Sequence, residues 1–423
     1  MIRSIFAAVC MMMASPVIAQ AEHIVTGANP PAQYTVCAGD TLVLKKSMGR
    51  ELMKDGSRAK GWLAWNDRSR SASAGNDFET VGATKLRFVG QVAGKGYVYA
   101  PVDAPACAST ATPSPAPAAT HQLFGANLSG CEFATTVALC PNREDVDWYI
   151  ATGYRLLRIP VLDTHLTDPA KLAVVAEIVT YAQSKGAKVI LDRHDYTRHS
   201  AADAWAFWRP ILPSFSADTL IELANEPVKG YPAGSNPWMV SAQDTRDTVV
   251  LFRANGVTNP ILFGSPGYSS TSRFTKFKGA RFPAEGMGDA LDRVGGINDP
   301  LNKTYFSGHR YLDKGGSGFK PGCNTNSGDG GLGVFADGLR KRGLQAYVTE
   351  FGLGNNRGLF TSCNVVGPNF MASIKANSDV IRGTTVWGGG RAWAESYIFK
   401  LEPKKGTRAS VTVSDYVKMM AGR

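Results

Sequence analysis

The 423-residue chain has little that would hold it in a membrane. Its only sustained apolar run, Ile5 to Met13, is too short to span a bilayer. Arg3 precedes that run and Ala19-Gln20-Ala21, a small-x-small pattern, follows it. Residues 1–21 therefore read as an export signal, and a secreted or periplasmic protein with no membrane span is expected. Cysteine is scarce: there are seven, and Cys10 falls in the leader, leaving six. An even number in an exported chain favours disulfides, and sequence neighbours suggest Cys37 with Cys107, Cys131 with Cys140 and Cys323 with Cys363.

Signatures of several reaction classes are missing as well. No Gly-x-Ser-x-Gly elbow and no phosphate-binding loop is present. Asp192, His194, Asp195 and His199 have neither the helical His spacing of zinc sites nor the pattern of a calcium loop, so no metal and no cofactor is expected. Gly331-Leu332-Gly333-Val334-Phe335-Ala336 echoes a dinucleotide fingerprint, but no strand precedes it, and it reads as the start of a helix running to Arg342. Acidic residues are outnumbered 35 to 46, for a net charge of +11. Such a balance suits polyanions. The basic residues are nonetheless scattered, and the one tight run, Arg273 to Arg281, reads as a solvated face. No nucleic-acid partner is expected, and an acidic polysaccharide is the minority reading.

What is present divides the chain. Thr41–Leu44, Leu86–Val89 and Tyr97–Tyr99 are short, β-prone and separated by turn residues, so residues 22–107 read as a small all-β module. Trp62, Trp65, Tyr97 and Tyr99 are its core or, alternatively, a flat sugar-binding platform. Residues 108–120 alternate proline with small residues, which makes a semi-stiff spacer. Within 121–423, strand-like segments recur at Gln122–Leu128, Arg155–Ile159, Lys188–Leu191, Thr219–Ala224, Pro260–Phe263, Thr304–Ser307, Ala346–Thr349 and Gly383–Val386. Their spacing of about 30 to 45 residues leaves room for a crossover helix each time, as in a (β/α)8 TIM barrel, and an open doubly wound sheet shares that rhythm. One helix is legible in full: Asp168 caps it, Pro169 opens it, Leu172, Val175, Ile178 and Val179 form its buried stripe and Gly186 ends it.

Two segments end in acids. Ile221-Glu222-Leu223-Ala224-Asn225-Glu226-Pro227 leaves its sheet at a proline, and Ala346-Tyr347-Val348-Thr349-Glu350-Phe351-Gly352 frees its backbone at a glycine. Two strand-end glutamates far apart in sequence are what glycoside cleavage needs: one carboxyl to protonate the leaving oxygen, one to attack or to activate water. Glu222, on the same strand face as Glu226, reads as a structural partner for an arginine. Polar and aromatic groups also collect at the other strand ends: Arg158-Ile159-Pro160, Asp192-Arg193-His194-Asp195-Tyr196, His309-Arg310-Tyr311 and Val386-Trp387-Gly388. Barrel enzymes keep their active sites there.

With Gly125-Ala126-Asn127-Leu128-Ser129-Gly130 at the start and His309-Arg310-Tyr311-Leu312-Asp313 followed by Ser317-Gly318 and Cys323 later, residues 121–423 resemble the glycoside hydrolase family 5 cellulases, in particular their secreted endo-β-1,4-glucanase branch. The likeness covers none of the N-terminal module. It implies that Glu226 is the general acid/base and Glu350 the nucleophile of a retaining enzyme. It further implies that Arg158 and Tyr311 hold Glu350, that Asn225 meets the sugar 2-hydroxyl, that His194 and His309 complete a polar floor and that Trp387 offers its face to the sugar. The chain departs from the family where Val161-Leu162-Asp163-Thr164-His165 replaces a Trp-Glu pair, where His194-Asp195-Tyr196 replaces His-Asn-Tyr, and where Ser269 to Phe274 replaces a tryptophan. The expected partner is a polysaccharide, a cellulose-like β-glucan cut by a monomeric enzyme. The alternatives are another β-linked exopolysaccharide, acidic or neutral, or mannan, or a carbohydrate-binding protein without catalysis.

Overall fold

The computed structural model describes residues 123–401, apart from 321, 326–327, 354–360, 395 and 398, together with six short strands between residues 22 and 101. Those strands are β1 (Glu22–Val25), β2 (Thr41–Leu44), β3 (Leu63–Trp65), β4 (Phe78–Thr80), β5 (Lys85–Val92) and β6 (Gly96–Pro101). They form one sheet in the order β1-β2-β6-β5-β4-β3, antiparallel except for the β1–β2 pair. The expected leader, the linker, the Cys37–Cys107 bond and the side chains of Trp62, Trp65, Tyr97 and Tyr99 lie outside the described residues and side chains.

From residue 123 onward the expected rhythm becomes eight parallel strands: β7 (Leu123–Leu128), β8 (Leu156–Val161), β9 (Lys188–Arg193), β10 (Leu220–Glu222), β11 (Ile261–Phe263), β12 (Thr304–Tyr311), β13 (Gln345–Gly352) and β14 (Ile381–Gly389). β14 pairs with β7, Gly383 opposite Leu123, and this closes the sheet into a barrel. Closure removes both edges, which an open sheet of the same rhythm would leave. β10 is shorter than its apolar run suggests: its ladder stops at Glu222 because the chain is already turning out toward Pro227, which has no amide hydrogen to share.

Helices fill the crossovers: α1 (Arg143–Ala151), α2 (Asp163–Thr167), α3 (Pro169–Ser184), α4 (Ala201–Trp208), α5 (Pro237–Ala254), α6 (Met287–Arg293), α7 (Leu332–Arg340) and α8 (Thr361–Ala376). In α3 the Asp168 carboxylate accepts from the amides of Ala170 and Lys171, Val175, Ile178 and Val179 are buried with Ala182, Leu172 is only partly buried, and Gly186 follows at φ +83°. α7 starts after Gly331, at φ +79°, so the glycine-rich fingerprint is a helix entry.

Strand alternation sorts the barrel's two faces. Leu157, Ile159 and Val161 of β8 face the helices in the main core, whereas Leu156 packs inside the barrel with Ile190, Leu220, Leu262 and Tyr347. Two residues further along the same inward faces come Arg158, Asp192 and Glu222, all completely buried. The interior thus changes from apolar plug to charged layer within one step of the pleat.

Cys131–Cys140 and Cys323–Cys363 are bonded. The second joins the loop after β12 to α8 across 40 residues. Replacing both Cys323 and Cys363 by serine should lower unfolding stability by up to about 4 kcal/mol, the loop-entropy value for a ring of this size. A urea midpoint unchanged from wild type would show that the loop is held without it.

Candidate active site

Arg158 is the hub of the charged layer. Its Nε donates to Glu222 at 2.7 Å, Nη1 to Asn127 Oδ1 at 2.9 Å and to Glu350 at 2.8 Å, and Nη2 to Asn225 Oδ1 at 2.6 Å, while Nη2 also lies 2.9 Å from Asp192. A guanidinium cannot shed its proton, so five strand ends are fixed around one permanent cation. Burial works against that charge, but Asp192, Glu222 and Glu350 outweigh it and hold the group firmly protonated. Ser307 Oγ donates to the other oxygen of Glu222. Glu222 therefore sits beneath the site as a structural acid, its pKa raised by burial.

β12 delivers one side chain per pleat to this interior. Tyr305 packs in the apolar plug, Ser307 reaches Glu222, His309 lies above it and Tyr311 is at the rim. β13 is irregular between Val348 and Phe351. A bulge puts two successive side chains on one face: Thr349 Oγ1 meets His309 Nε2 at 3.0 Å, and Glu350 enters the same space. Asn127 Nδ2 donates to the Thr349 carbonyl at 2.9 Å, steadying this irregular stretch.

Glu350 accepts from Arg158 on one oxygen and from the Tyr311 hydroxyl, at 2.8 Å, on the other. Burial alone would raise its pKa, yet His309, Arg158, His194 and the Tyr311 bond lower it, so it stays ionised. Glu226, carried just past the end of β10, pairs through Oε1 with His309 Nδ1 at 2.6 Å. One carboxylate oxygen from each of Glu226 and Glu350 and a nitrogen of His309 lie within 4.8 Å of one another. That trio has the atom types of a metal site. Its lone pairs are engaged by His309, Arg158 and Tyr311, and the fixed Arg158 charge lies against Glu350, so the donor set fits a hydrogen-bonded pair of acids better than a cation.

His309 gains a proton more easily than a free histidine: burial opposes its charge, but Glu350 and Glu226 overcome this. His194 behaves alike, burial being outweighed by Asp192, whose carboxylate lies 2.7 Å from Nδ1. Trp387 lies parallel to the His194 ring, centroids 6.0 Å apart, and its Nε1 donates to Tyr397 at 2.8 Å. The peptide from Trp387 to Gly388 is cis. All these groups border a cleft of about 780 Å³ whose lining includes Glu226, Glu350, His194, His309, Tyr311 and Trp387. Arg158 and Asn225 lie just beneath it.

The eight expected residues, Arg158, His194, Asn225, Glu226, His309, Tyr311, Glu350 and Trp387, are therefore gathered in one place. Among the cleft residues not named as site residues from the sequence are Trp393, Tyr397 and Tyr196. Trp393 and Tyr397 stack on each other at 3.8 Å in the loop after β14, and Tyr196 bonds His194 Nε2 at 3.2 Å. The first two follow the last strand in a stretch with no periodicity. Tyr196 had a signal, its place at the end of β9.

The departures from the family pattern also find their places. Asp163 pairs with Arg193 at 2.6 Å and His165 is fully buried. Asp195 turns to His199, at 2.6 Å, and to the Thr197 amide, so the acid that stands for an asparagine is not a wall of the cleft. Those bonds and Arg193 overcome burial and bring it down to about 2. Ser270, Ser272 and Arg273, from the segment that lacks a tryptophan, do line the cleft.

Residues 114–388 match the family model described as cellulase, glycosyl hydrolase family 5. Endoglucanase 1 of Saitozyma flava is 28% identical over 313 residues, 67% of this chain and 86% of that protein. Endo-beta-1,4-glucanase B of Emericella nidulans is 25% identical over 316 residues, 67% of this chain and 87% of that one. Among solved structures, XacCel5A in complex with cellopentaose superposes with a TM-score of 0.61 at 25% identity, over 70% of this chain and 99% of that one.

Two outcomes follow from the geometry. Arg158→Met should destabilise the fold by about 3–5 kcal/mol, because it strands buried carboxylates without their cation; a chemical-denaturation curve matching wild type would contradict the hub. The stabilising effect of Glu350's lowered pKa is complete above its ordinary 4.5 and is lost as pH falls through the lower folded value. The stability gap between wild type and Glu350→Gln should therefore be constant just above pH 4.5 and shift against wild type on acidification; a shift in its favour would reverse the sign.

Proposed function

The chain belongs to the cellulase family, glycosyl hydrolase family 5, and from that premise we propose that it cleaves internal β-1,4 bonds of a cellulose-like β-glucan with retention of anomeric configuration. The observation that carries this is the approach of a Glu226 oxygen to a Glu350 oxygen within 4.8 Å. Retaining glycosidases keep their carboxyls about 5–5.5 Å apart, whereas inverting ones leave about 6.5–9.5 Å for a water.

In the first step Glu350, ionised against Arg158 and Tyr311, attacks the anomeric carbon. The bond to the leaving oxygen breaks as protonated Glu226 gives that oxygen its proton, and a glycosyl ester on Glu350 remains. In the second step Glu226, now a carboxylate, takes a proton from water, the water oxygen bonds to the anomeric carbon, and the ester bond breaks to restore Glu350. His309, bonded to Glu226 and close to Glu350, holds the acid/base in line. Asn225 has its amide oxygen on Arg158, so its NH2 is the end offered to a ligand, suited to the sugar 2-hydroxyl whose contact strengthens as charge develops. Trp387 supplies an apolar face for the ring, and His194 the polar floor beside it.

The remaining organisation is part of the same proposal. Residues 1–21 direct export to the periplasm or beyond, residues 22–107 form a separate β module, residues 108–120 link it to the catalytic unit at 121–423, and the enzyme acts as a monomer. Two disulfides among the described residues favour an oxidising compartment, and a single chain supplies every group at the site.

Proton NMR of fresh hydrolysate over a panel of soluble glucans and mannans should show the β-anomer appearing first, on β-1,4-glucan; the α-anomer first would refute double displacement. Glu226→Gln should slow polymer cleavage by about 10²–10⁴, with a much smaller effect on forming the ester from an aryl glycoside whose leaving group needs no proton. Glu350→Gln should abolish both.

A further inference from the structure

The two walls of the cleft differ. On the side of β9 and β14 it is aromatic, with Tyr196, Trp387, Trp393 and Tyr397. Beyond β11 and β12 it is cationic: Arg273 and Arg310 both line it, among the hydroxyls of Ser270 and Ser272. Neither guanidinium has a carboxylate partner among the described residues. Among the described residues Arg310 Nε is buried with no hydrogen-bond partner, and Arg273 lies over the Phe277 ring, 5.1 Å from its centre. Two acids, Asp313 and Asp329, stand in the field of Arg310, but both are committed elsewhere. Asp313 accepts from the amides of Gly318 and Lys320, each at 3.0 Å, and Asp329 from those of Gly331 and Gly333 at 2.8 and 2.7 Å.

Arg310 is half-buried and Arg273 exposed; at Arg310 a guanidinium without a direct partner is costly, and arginine does not relieve the cost by losing its proton. Neutral glucan hydroxyls can accept from its N–H groups but bring no charge to pair with it. A carboxylate does both, and its two oxygens match the planar fork. At the half-buried Arg310 the lower local dielectric strengthens that attraction, and the net charge of +11 draws a polyanion toward the cleft from a distance. Tyr268 and Phe319, 59% and 82% exposed, add apolar faces at the mouth of the same wall for the sugar rings that carry the charge.

We propose that Arg273 and Arg310 bind carboxylate groups on the polysaccharide, so that the preferred substrate is an anionic β-glucan rather than neutral cellulose. This rests on the glycanase reading given above and specifies its substrate class. The carboxylate belongs either to a uronic acid unit of the chain or to an acidic group appended to a neutral unit.

The test compares kcat/KM on hydroxyethyl β-1,4-glucan, carboxymethyl β-1,4-glucan and a uronate-containing β-glucan for the wild type, Arg273→Gln, Arg310→Gln and Arg310→Lys over a series of salt concentrations. The wild type should favour at least one anionic polymer over the neutral one, and added salt should erode the preference. Each Gln variant should lose about tenfold of that ratio, the worth of one charge-assisted pair, and Arg310→Lys should keep part of it. Preference for the uronate polymer alone places the charge on the chain, and preference for the carboxymethyl polymer places it on a substituent. Affinity electrophoresis of Glu350→Gln, beside the same variant also carrying Arg273→Gln or Arg310→Gln, in gels containing the neutral or an anionic polymer reads the wall without turnover, because only retardation lost with an arginine belongs to the wall. Stronger retardation by the anionic polymer with no cleavage in the wild type would refute the reaction and leave this assignment standing. Equal retardation, or an anionic-to-neutral ratio unchanged in both Gln variants, overturns it.

Discussion

The whole site depends on a positive charge that has no access to water. Arg158, completely buried, contacts Asp192, Glu222 and Glu350 and the side-chain oxygens of Asn127 and Asn225. Burying a charge is costly unless it is paired and hydrogen-bonded, and an assembly of this kind tolerates few rearrangements. Because Arg158 stands on β8 and its partners come from β7, β9, the end of β10 and β13, the geometry of one guanidinium fixes the relative heights of five strand ends. Rigidity at Glu350 is thus inherited from the barrel's interior rather than from a loop.

Charge balance extends the same constraint upward. At the next level the nearby carboxylates outweigh burial and the arginine and raise the proton affinity of the imidazoles, Asp192 and Glu350 at His194 and Glu350 and Glu226 at His309. His309 in turn touches Glu226 and lies 3.7 Å from Glu350, so the two acids are electrostatically tied through one imidazole. The bulge at Thr349 and Glu350 makes the arrangement possible. Strict alternation would send one of them to the helices, whereas here both reach the interior, one to orient His309 and one to face the cleft.

Above the acids, the cleft shows how a shared reaction centre is fitted to a particular polymer. The aromatic wall is built from the end of β9 and from β14 with the loop after it, and the cationic wall from the loop after β11 and the end of β12. The Ser269–Phe274 segment, which lacks the family's tryptophan, supplies Arg273 and two serines to the second wall. The Asp195 substitution faces away from the cleft and adds no opposing charge there.

The sequence alone determined the kind of element and its order. Short strand-like runs at regular spacing, ending in proline, glycine or polar residues, marked the strands, a capped and proline-opened repeat marked α3, and two strand-end glutamates with the motifs around them marked the reaction. These signals are local, since alternation, capping and chain reversal are properties of neighbouring residues. Closure of the sheet, the meeting of five strand ends on Arg158, the bulge that re-aims Glu350, and the entry of Trp393, Tyr397 and Arg310 into one cleft were decided only by the tertiary structure. Each of these joins residues brought together by packing and charge compensation across the barrel, which no short window of sequence encodes.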